Sequence, residues 1–308
     1  MSRVLRLDGD LLKITINELT RVTELKGIPW SRFTELNRIL KGFRTHEVTV
    51  LSGNTGVGKT TFLCEYSLDL AEQGVPTLWG SFEMPLRKVC KTLVQQFAGE
   101  PLDPPVPSRI ADWARMFSQN VPIYFMNLHG SQSVSEVLKT MEVGVKDVGV
   151  EHIVIDNIQF LLGAGDSSFP ERFQRQDHFV QKLRSFATEN GAHITIVAHP
   201  RKEEIGRLLT INSLYGGGKI SQEADNVMFI QEDSKTSIPK KYLQDFSQLH
   251  TTRIYTLIII LTKQFKIPVN ILKIRNNITT LNTKEILVIY SDCRERHYPT
   301  NSTRIVGS

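Results

Sequence analysis

Eight consecutive residues, Gly53-Asn54-Thr55-Gly56-Val57-Gly58-Lys59-Thr60, fit the spacing G-x-x-x-x-G-K-[ST]. Glycines at a strand-to-helix turn let several backbone N–H groups converge on one spot, and the helix that follows adds its positive N-terminal end. A triphosphate fits such a cradle. Lys59 then reaches the β and γ oxygens, and the Thr60 hydroxyl takes a place on Mg²⁺. A strand-like run at 47–51 precedes the turn and a helical stretch that starts at Thr61 follows it, the context that separates a P-loop from an ordinary glycine turn. The ligands expected are ATP or another NTP, with Mg²⁺.

Partners for that cradle stand where other apolar runs end. Ile153-Val154-Ile155 runs into Asp156, a carboxylate placed to hold Mg²⁺ through water, the Walker B arrangement. Any buried strand can end in Asp; the P-loop upstream is what favours metal here. Trp79-Gly80-Ser81-Phe82 runs into Glu83, which in this position can take a proton from water attacking the γ-phosphate; the plain alternative is a surface Glu. Ile194-Thr195-Ile196-Val197-Ala198 runs into His199, with Arg201 and Lys202 just beyond; a polar residue here can touch the γ-phosphate, and a structural His is the alternative. Gly216-Gly217-Gly218-Lys219 offers backbone N–H groups and one cation to phosphates. It reads equally as a linker, although a strand-like run at 226–230 tethers it.

These residues need a scaffold that brings strand ends together. Apolar runs at 47–51, 77–82, 122–126, 152–158, 193–198 and 226–230 alternate with helical stretches. Continuous apolar strands separated by helices predict an α/β fold with a mainly parallel sheet and helices on both faces. Ahead of them, Leu12, Ile16 and Leu19, then Val22 and Leu25, repeat at helical spacing over about residues 10–25, ended by the turn at Gly27 and Pro29. That helix packs either on its own core or on a neighbour. A short helix over 30–43 is predicted to close at Gly42.

Composition bounds the class. The chain has 308 residues, 40% hydrophobic and 22% charged, as in a soluble globular protein, and no apolar run is long enough to span a bilayer. Three scattered cysteines, Cys64, Cys90 and Cys293, point to a reducing compartment and no disulfide framework, and lack metal-ligand spacing. Neither a signal-peptide core nor a good transit peptide is legible at the N-terminus. The net charge of +5 is local: residues 235–308 hold 12 Lys and Arg against 4 Asp and Glu, while the rest of the chain is slightly acidic. Global charge therefore says little about whether the body binds nucleic acid. The tail has no Ala and one Gly, Gly307, and its β-prone run at 254–261 reads as part of two or three extra strands, or else as sequence outside the native coding region, such as a retained intron.

The blocks from Trp30 to Thr61, Trp79 to Glu83, Ile155-Asp156-Asn157-Ile158-Gln159-Phe160, His199 to Lys202 and Ser221 to Asn226 resemble the helicase domain of Twinkle-type mitochondrial replicative DNA helicases, relatives of bacteriophage primase–helicases and bacterial replicative helicases. The resemblance covers about residues 11–233. It implies a RecA-like core in a ring, usually a hexamer, that hydrolyses NTP and moves 5′ to 3′ on single-stranded or forked DNA, beside a replication polymerase and single-strand-binding protein. It implies Glu83 as catalytic base, Asp156 and Thr60 at the metal, and Gly53, Asn54, Thr55, Gly56, Val57, Gly58, Lys59, Thr60 and Thr61 around the nucleotide. His199 and Gln222 become γ-phosphate sensors, and Arg201, Lys202, Gly216, Gly217, Gly218 and Lys219 contact DNA. The domains expected are a linker-helix region at 1–27, placed by the resemblance against an adjacent subunit, a core at 28–234 and a divergent basic tail at 235–308.

Departures from the family leave two readings open. Its primase-like N-terminal domain has no counterpart, so a fragment, an isoform or a truncated homologue is expected. Its arginine finger, which acts in trans on a neighbour's phosphates, is matched only by Lys273-Ile274-Arg275, about 30 residues late. With Arg275 in that role the chain is a motor. Without it the chain is a nucleotide- and DNA-binding module lacking productive turnover. Another RecA-like ATPase, with the same fold and a different task, is a separate alternative.

Overall fold

The computed structural model describes residues 7–20, 27–99, 102, 105–128, 131–163, 169–201, 209–215, 218–231, 257–262, 271–275 and 285–290. Backbone packing divides the chain into two compact units, Met1–Arg44 and Thr45–Ser308.

The first unit holds helices α1 (Gly9–Thr20) and α2 (Thr34–Leu40). The second helix starts later than its apolar pattern predicts. Asn37 clasps the chain ahead of it, accepting from the Trp30 N–H at 2.8 Å and donating to the Trp30 carbonyl at 2.7 Å, which keeps the residues before Thr34 out of helical geometry. Its end also differs: Lys41, at φ 60°, takes the left-handed cap ahead of Gly42. A side chain at Gly42 would lie 2.4 Å from the Gly27 carbonyl oxygen, so glycine is required there for close approach.

The second unit is an α/β sheet. Its strands are β1 (Val48–Gly53), β2 (Thr77–Ser81), β3 (Ile123–Phe125), β4 (His152–Asp156), β5 (His193–Ala198) and β6 (Asn226–Gln231), followed by β7 (Leu257–Thr262), β8 (Ile271–Arg275) and β9 (Glu285–Tyr290). Spatial order is β3-β2-β4-β5-β1-β6-β7-β9-β8. The first six are parallel; β7 runs antiparallel to β6, β9 parallel to β7, and β8 antiparallel to β9. The connecting helices are α3 (Lys59–Glu72), α4 (Leu86–Ala98), α5 (Pro107–Asn120), α6 (Val134–Val148), α7 (Ile158–Leu162), α8 (Phe169–Asn190) and α9 (Gly218–Glu223).

The continuous apolar runs follow from burial on both faces. One face carries Val48, Val50, Leu78, Ile153, Ile155, Ile194, Ile196, Val227 and Phe229, packed in one core with Val137 and Met141 of α6 and Phe179, Val180 and Leu183 of α8. Each such side chain contributes about 1.5–3 kcal/mol when fully buried. The alternate residues face α3 and include a polar row. His152 bonds Thr195 at 3.0 Å and Thr77 at 3.4 Å, His193 bonds Thr49 at 3.0 Å, and Asn226 donates to Glu47 at 3.0 Å and Thr49 at 3.3 Å. All of these are buried, and pairing them offsets the penalty of desolvated polar groups, apart from the Asn226 Oδ1, which is buried without a hydrogen bond. Trp79 donates to Ser67 of α3 at 3.0 Å, fixing the P-loop helix on that face.

Three strands are shorter than their apolar runs predict, the 77–82 run by one residue at Ser81. The 122–126 run yields only Ile123–Phe125, and the 152–158 run stops at Asp156 because Asn157 caps α7, its Oδ1 accepting from the Phe160 N–H at 2.9 Å.

Candidate active site

Parallel pairing sets the site's frame. Ser52 of β1 lies opposite Ala198 of β5, and Ser81 of β2 lies opposite Asp156 of β4, so four adjacent strands end on one edge. The P-loop leaves β1 at that edge. Gly53, Gly56 and Gly58 have φ of 155°, 83° and 99°, and Gly58 caps α3 in the left-handed region. A Cβ at Gly53 would sit 2.3 Å from the Ile230 carbonyl oxygen of β6, so the tight turn and the neighbouring strand both demand glycine. Asn54 and Thr55 are exposed on the turn, Val57 donates to the Asn54 carbonyl at 3.3 Å, and Thr61 sits half-buried in the first turn of α3.

Lys59 is buried and folds back on the loop, donating to the Gly53 carbonyl at 2.8 Å and the Asn54 carbonyl at 3.0 Å. Desolvation pulls its pKa below the usual lysine value, while Asp156 and Glu83 push it back up. Thr60 donates to Asp156 Oδ2 at 2.6 Å. Burial pushes the Asp156 carboxyl from 3.8 up to about 6; the Thr60 bond and Lys59 oppose the rise and Glu83 adds to it. A hydroxyl and a buried carboxylate in contact form a hard-oxygen set. Among the described residues no cluster of three His, Cys, Asp or Glu could cage a metal unaided. That combination fits Mg²⁺, which is held by one or two carboxylates with water and substrate phosphates.

Glu83 follows β2 and is tied to the Walker B strand through its own N–H and that of Phe82, which donate to the Asp156 carbonyl at 3.4 and 2.7 Å. Its Oε2 lies 3.6 Å from His199 Nε2. Burial and Lys59 hold the His199 pKa below the usual imidazole value, against Glu83, which raises it. Two residues with no role in the sequence reading complete this corner. Asn157 donates to the Glu83 carboxylate and lies 2.9 Å from His199 Nε2, while Gln159 Oε1 accepts from the His199 N–H at 3.1 Å. The signal available was an Asn ahead of the apolar run 158–162, a helix-capping pattern.

The remaining expected residues are more dispersed. Arg201 is exposed, and its N–H donates to the Ser213 carbonyl at 2.6 Å. Gly218 and Lys219 open α9 instead of continuing a loop, because Ile220 is buried in the sheet core, and Lys219 pairs with Glu223 one turn on at 3.0 Å. Gln222 is exposed on the same helix. Lys202, Gly216 and Gly217 lie outside the described residues. Arg275 ends β8, the outermost strand, with three strands between it and the P-loop strand.

The fold and the site together define a P-loop domain of RecA-like architecture. The chain belongs to the family described as an AAA domain, which matches residues 17–204. It is similar to the DNA helicase/primase of Enterobacteria phage T3, at 21% identity over 247 residues, covering 75% of this chain and 43% of the relative. It is also similar to the replicative DNA helicase DnaB of Treponema pallidum, at 22% identity over 232 residues, covering 73% of this chain and 52% of the relative. The chain thus spans about half the length of these relatives. A solved DnaB-like replicative helicase, described with its interactions with primase, shares the fold, with a TM-score of 0.61 at 19% identity over 77% of this chain and 58% of that one. Among the described residues no helix is long and apolar enough to cross a membrane.

Proposed function

We propose that this chain is the motor domain of a replicative DNA helicase of the Twinkle type, hydrolysing NTP between subunits of a hexameric ring and moving 5′ to 3′ on single-stranded DNA. The observation that carries the reading is the meeting of Glu83, Asp156 and His199 beside Lys59 at the tips of adjacent strands. The helicases among the relatives favour a motor over a binding-only module.

In this reading residues 53–61 cradle the triphosphate and Lys59 leaves the loop carbonyls for the β and γ oxygens. Glu83 accepts the proton of the attacking water. Thr60 and Asp156 hold Mg²⁺, which when bound neutralises charge on the phosphates. His199 and Gln222 respond to the γ-phosphate, and Arg275 serves a neighbour's site as the arginine finger. Arg201, Lys202 and residues 216–219 grip the DNA backbone, so affinity is independent of sequence and falls with salt. Residues 1–27 link adjacent subunits, 28–234 form the motor core, and 235–308 form a basic tail. Replication polymerase and single-strand-binding protein are the proposed partners and the mitochondrial nucleoid the proposed location.

The test is nucleotide hydrolysis by the assembled protein with and without single-stranded DNA. DNA should stimulate turnover, and Lys59→Ala should abolish it. Turnover that is absent, or indifferent to DNA, overturns the motor reading.

A further inference from the structure

Asn157 is fully buried, and every hydrogen-bonding group of its side chain is directed. Its Oδ1 must be the acceptor end, because it takes the Phe160 N–H that starts α7. Nδ2 is therefore the donor end, and its two N–H groups have two targets: the Glu83 carboxylate and His199 Nε2, the latter at 2.9 Å. A donor facing Nε2 requires a lone pair there, so the imidazole carries its proton on Nδ1. Glu83 Oε2 and His199 Nε2, 3.6 Å apart, are then two acceptors joined by one amide and not an ion pair.

We infer that Asn157 is a positioning residue for the proposed hydrolysis, holding the Glu83 carboxylate and the Nδ1–H form of His199 through a single shared amide. The inference rests on the roles proposed above for Glu83 and His199. Without the amide, His199 would turn its proton to Nε2 and donate to Glu83 Oε2 itself, so the carboxylate would be held by the ring that must move toward the phosphate. With it, Oε2 is held by an amide fixed at the α7 cap, leaving Oε1 to accept a proton from water. Movement of the imidazole toward a phosphate releases one arm of the amide while the other remains on Glu83, so the state of His199 is passed to the base. Gln159 holds the His199 backbone by accepting its N–H.

The α7 cap and the clamp can be separated. Asn157→Asp keeps an oxygen for the Phe160 N–H but has no N–H to give; Asn157→Ala loses both. The test uses the full chain, labelled with ¹⁵N-histidine, with the His199 signals assigned by their loss in His199→Asn. In the wild-type protein Nε2 should resonate as an unprotonated nitrogen and Nδ1 as a protonated one, and Asn157→Asp should move the proton to Nε2. Asn157→Asp should also lower kcat for nucleotide hydrolysis by about 10²-fold, as expected for loss of a positioned base, with KM changed by less than about threefold. A wild-type His199 protonated on Nε2 overturns the proposal, as does an Asn157→Asp protein with unchanged tautomer and kcat. The wild-type spectrum needs no turnover: correct tautomer with no hydrolysis would sink the motor reading and leave the clamp standing.

Discussion

The carbonyl of His199 accepts a hydrogen bond from the Tyr215 N–H at 3.2 Å, which ties the residue beside the P-loop to the segment just ahead of Gly216. A second bond, from the Arg201 N–H to the Ser213 carbonyl at 2.6 Å, makes the connection a short antiparallel pairing. Gln176 of α8 steadies it by donating to the Tyr215 carbonyl at 2.9 Å. Gln176→Ala should therefore leave hydrolysis without DNA unchanged and reduce its stimulation by single-stranded DNA about fivefold, the equivalent of one hydrogen bond. Paired ATPase assays decide this, and an equal loss in both conditions counts against the coupling.

Lys59 is a buried ammonium whose present partners are two carbonyls, so it serves binding more than folding. Lys59→Met should reduce hydrolysis by about 10³-fold through loss of charge at the transferred phosphate, while leaving the thermal midpoint equal or higher because a desolvated charge is gone. Calorimetry alongside the kinetic assay checks both parts.

Asp156 makes a pH-dependent contribution with an unusual sign. Its folded pKa of about 6 lies above the ordinary 3.8, so the folded state holds a proton that the unfolded chain has released. Its stabilising contribution is complete below about pH 4 and is lost as pH rises through about 6, roughly 3 kcal/mol in all. Asp156→Asn should flatten that part of the urea-midpoint profile. Since Mg²⁺ needs the carboxylate, Mg²⁺-dependent nucleotide binding should weaken as pH falls below about 6, and calorimetric titration at pH 5 and 8 would show it.

His152 acts in the opposite direction. Full burial, with His193 beside it, holds its pKa well below the ordinary 6.5. The unfolded chain takes up a proton that the folded protein refuses, so stability should fall as pH drops below 6.5. Measuring urea midpoints between pH 7 and 5 in the Asp156→Asn background isolates this slope, and His152→Gln should remove it.

Gly53→Ala would set a methyl 2.3 Å from the Ile230 carbonyl oxygen at a φ of 155°. A loss of about 1–3 kcal/mol is expected, together with loss of nucleotide binding, because the loop must shift to relieve the contact. Thermal melts with and without nucleotide test it: the wild-type midpoint should rise on binding and the variant's should not.

How far the site is legible in the sequence varies by residue. Gly53 to Thr60, Glu83, Asp156 and His199 are readable because each follows an apolar run and carries chemistry that a buried strand would otherwise exclude. The start of the helix at 34–40 is not readable, since Asn37 reaching back to Trp30 leaves no periodic mark. Lys219 reads as loop because a Gly-Gly-Gly prefix hides a six-residue helix whose Ile220 is buried in the core.

Strand identity, the glycine turn and the acids at the strand tips are encoded locally, in residue type and period, and need no neighbour to be recognised. The order β2-β4-β5-β1, the single amide of Asn157 reaching two elements, and the bond from the Tyr215 N–H to His199 depend on residues 16 or more positions apart in the chain. Hydrogen bonds of that kind are selected by packing of the whole sheet, and no local pattern records them.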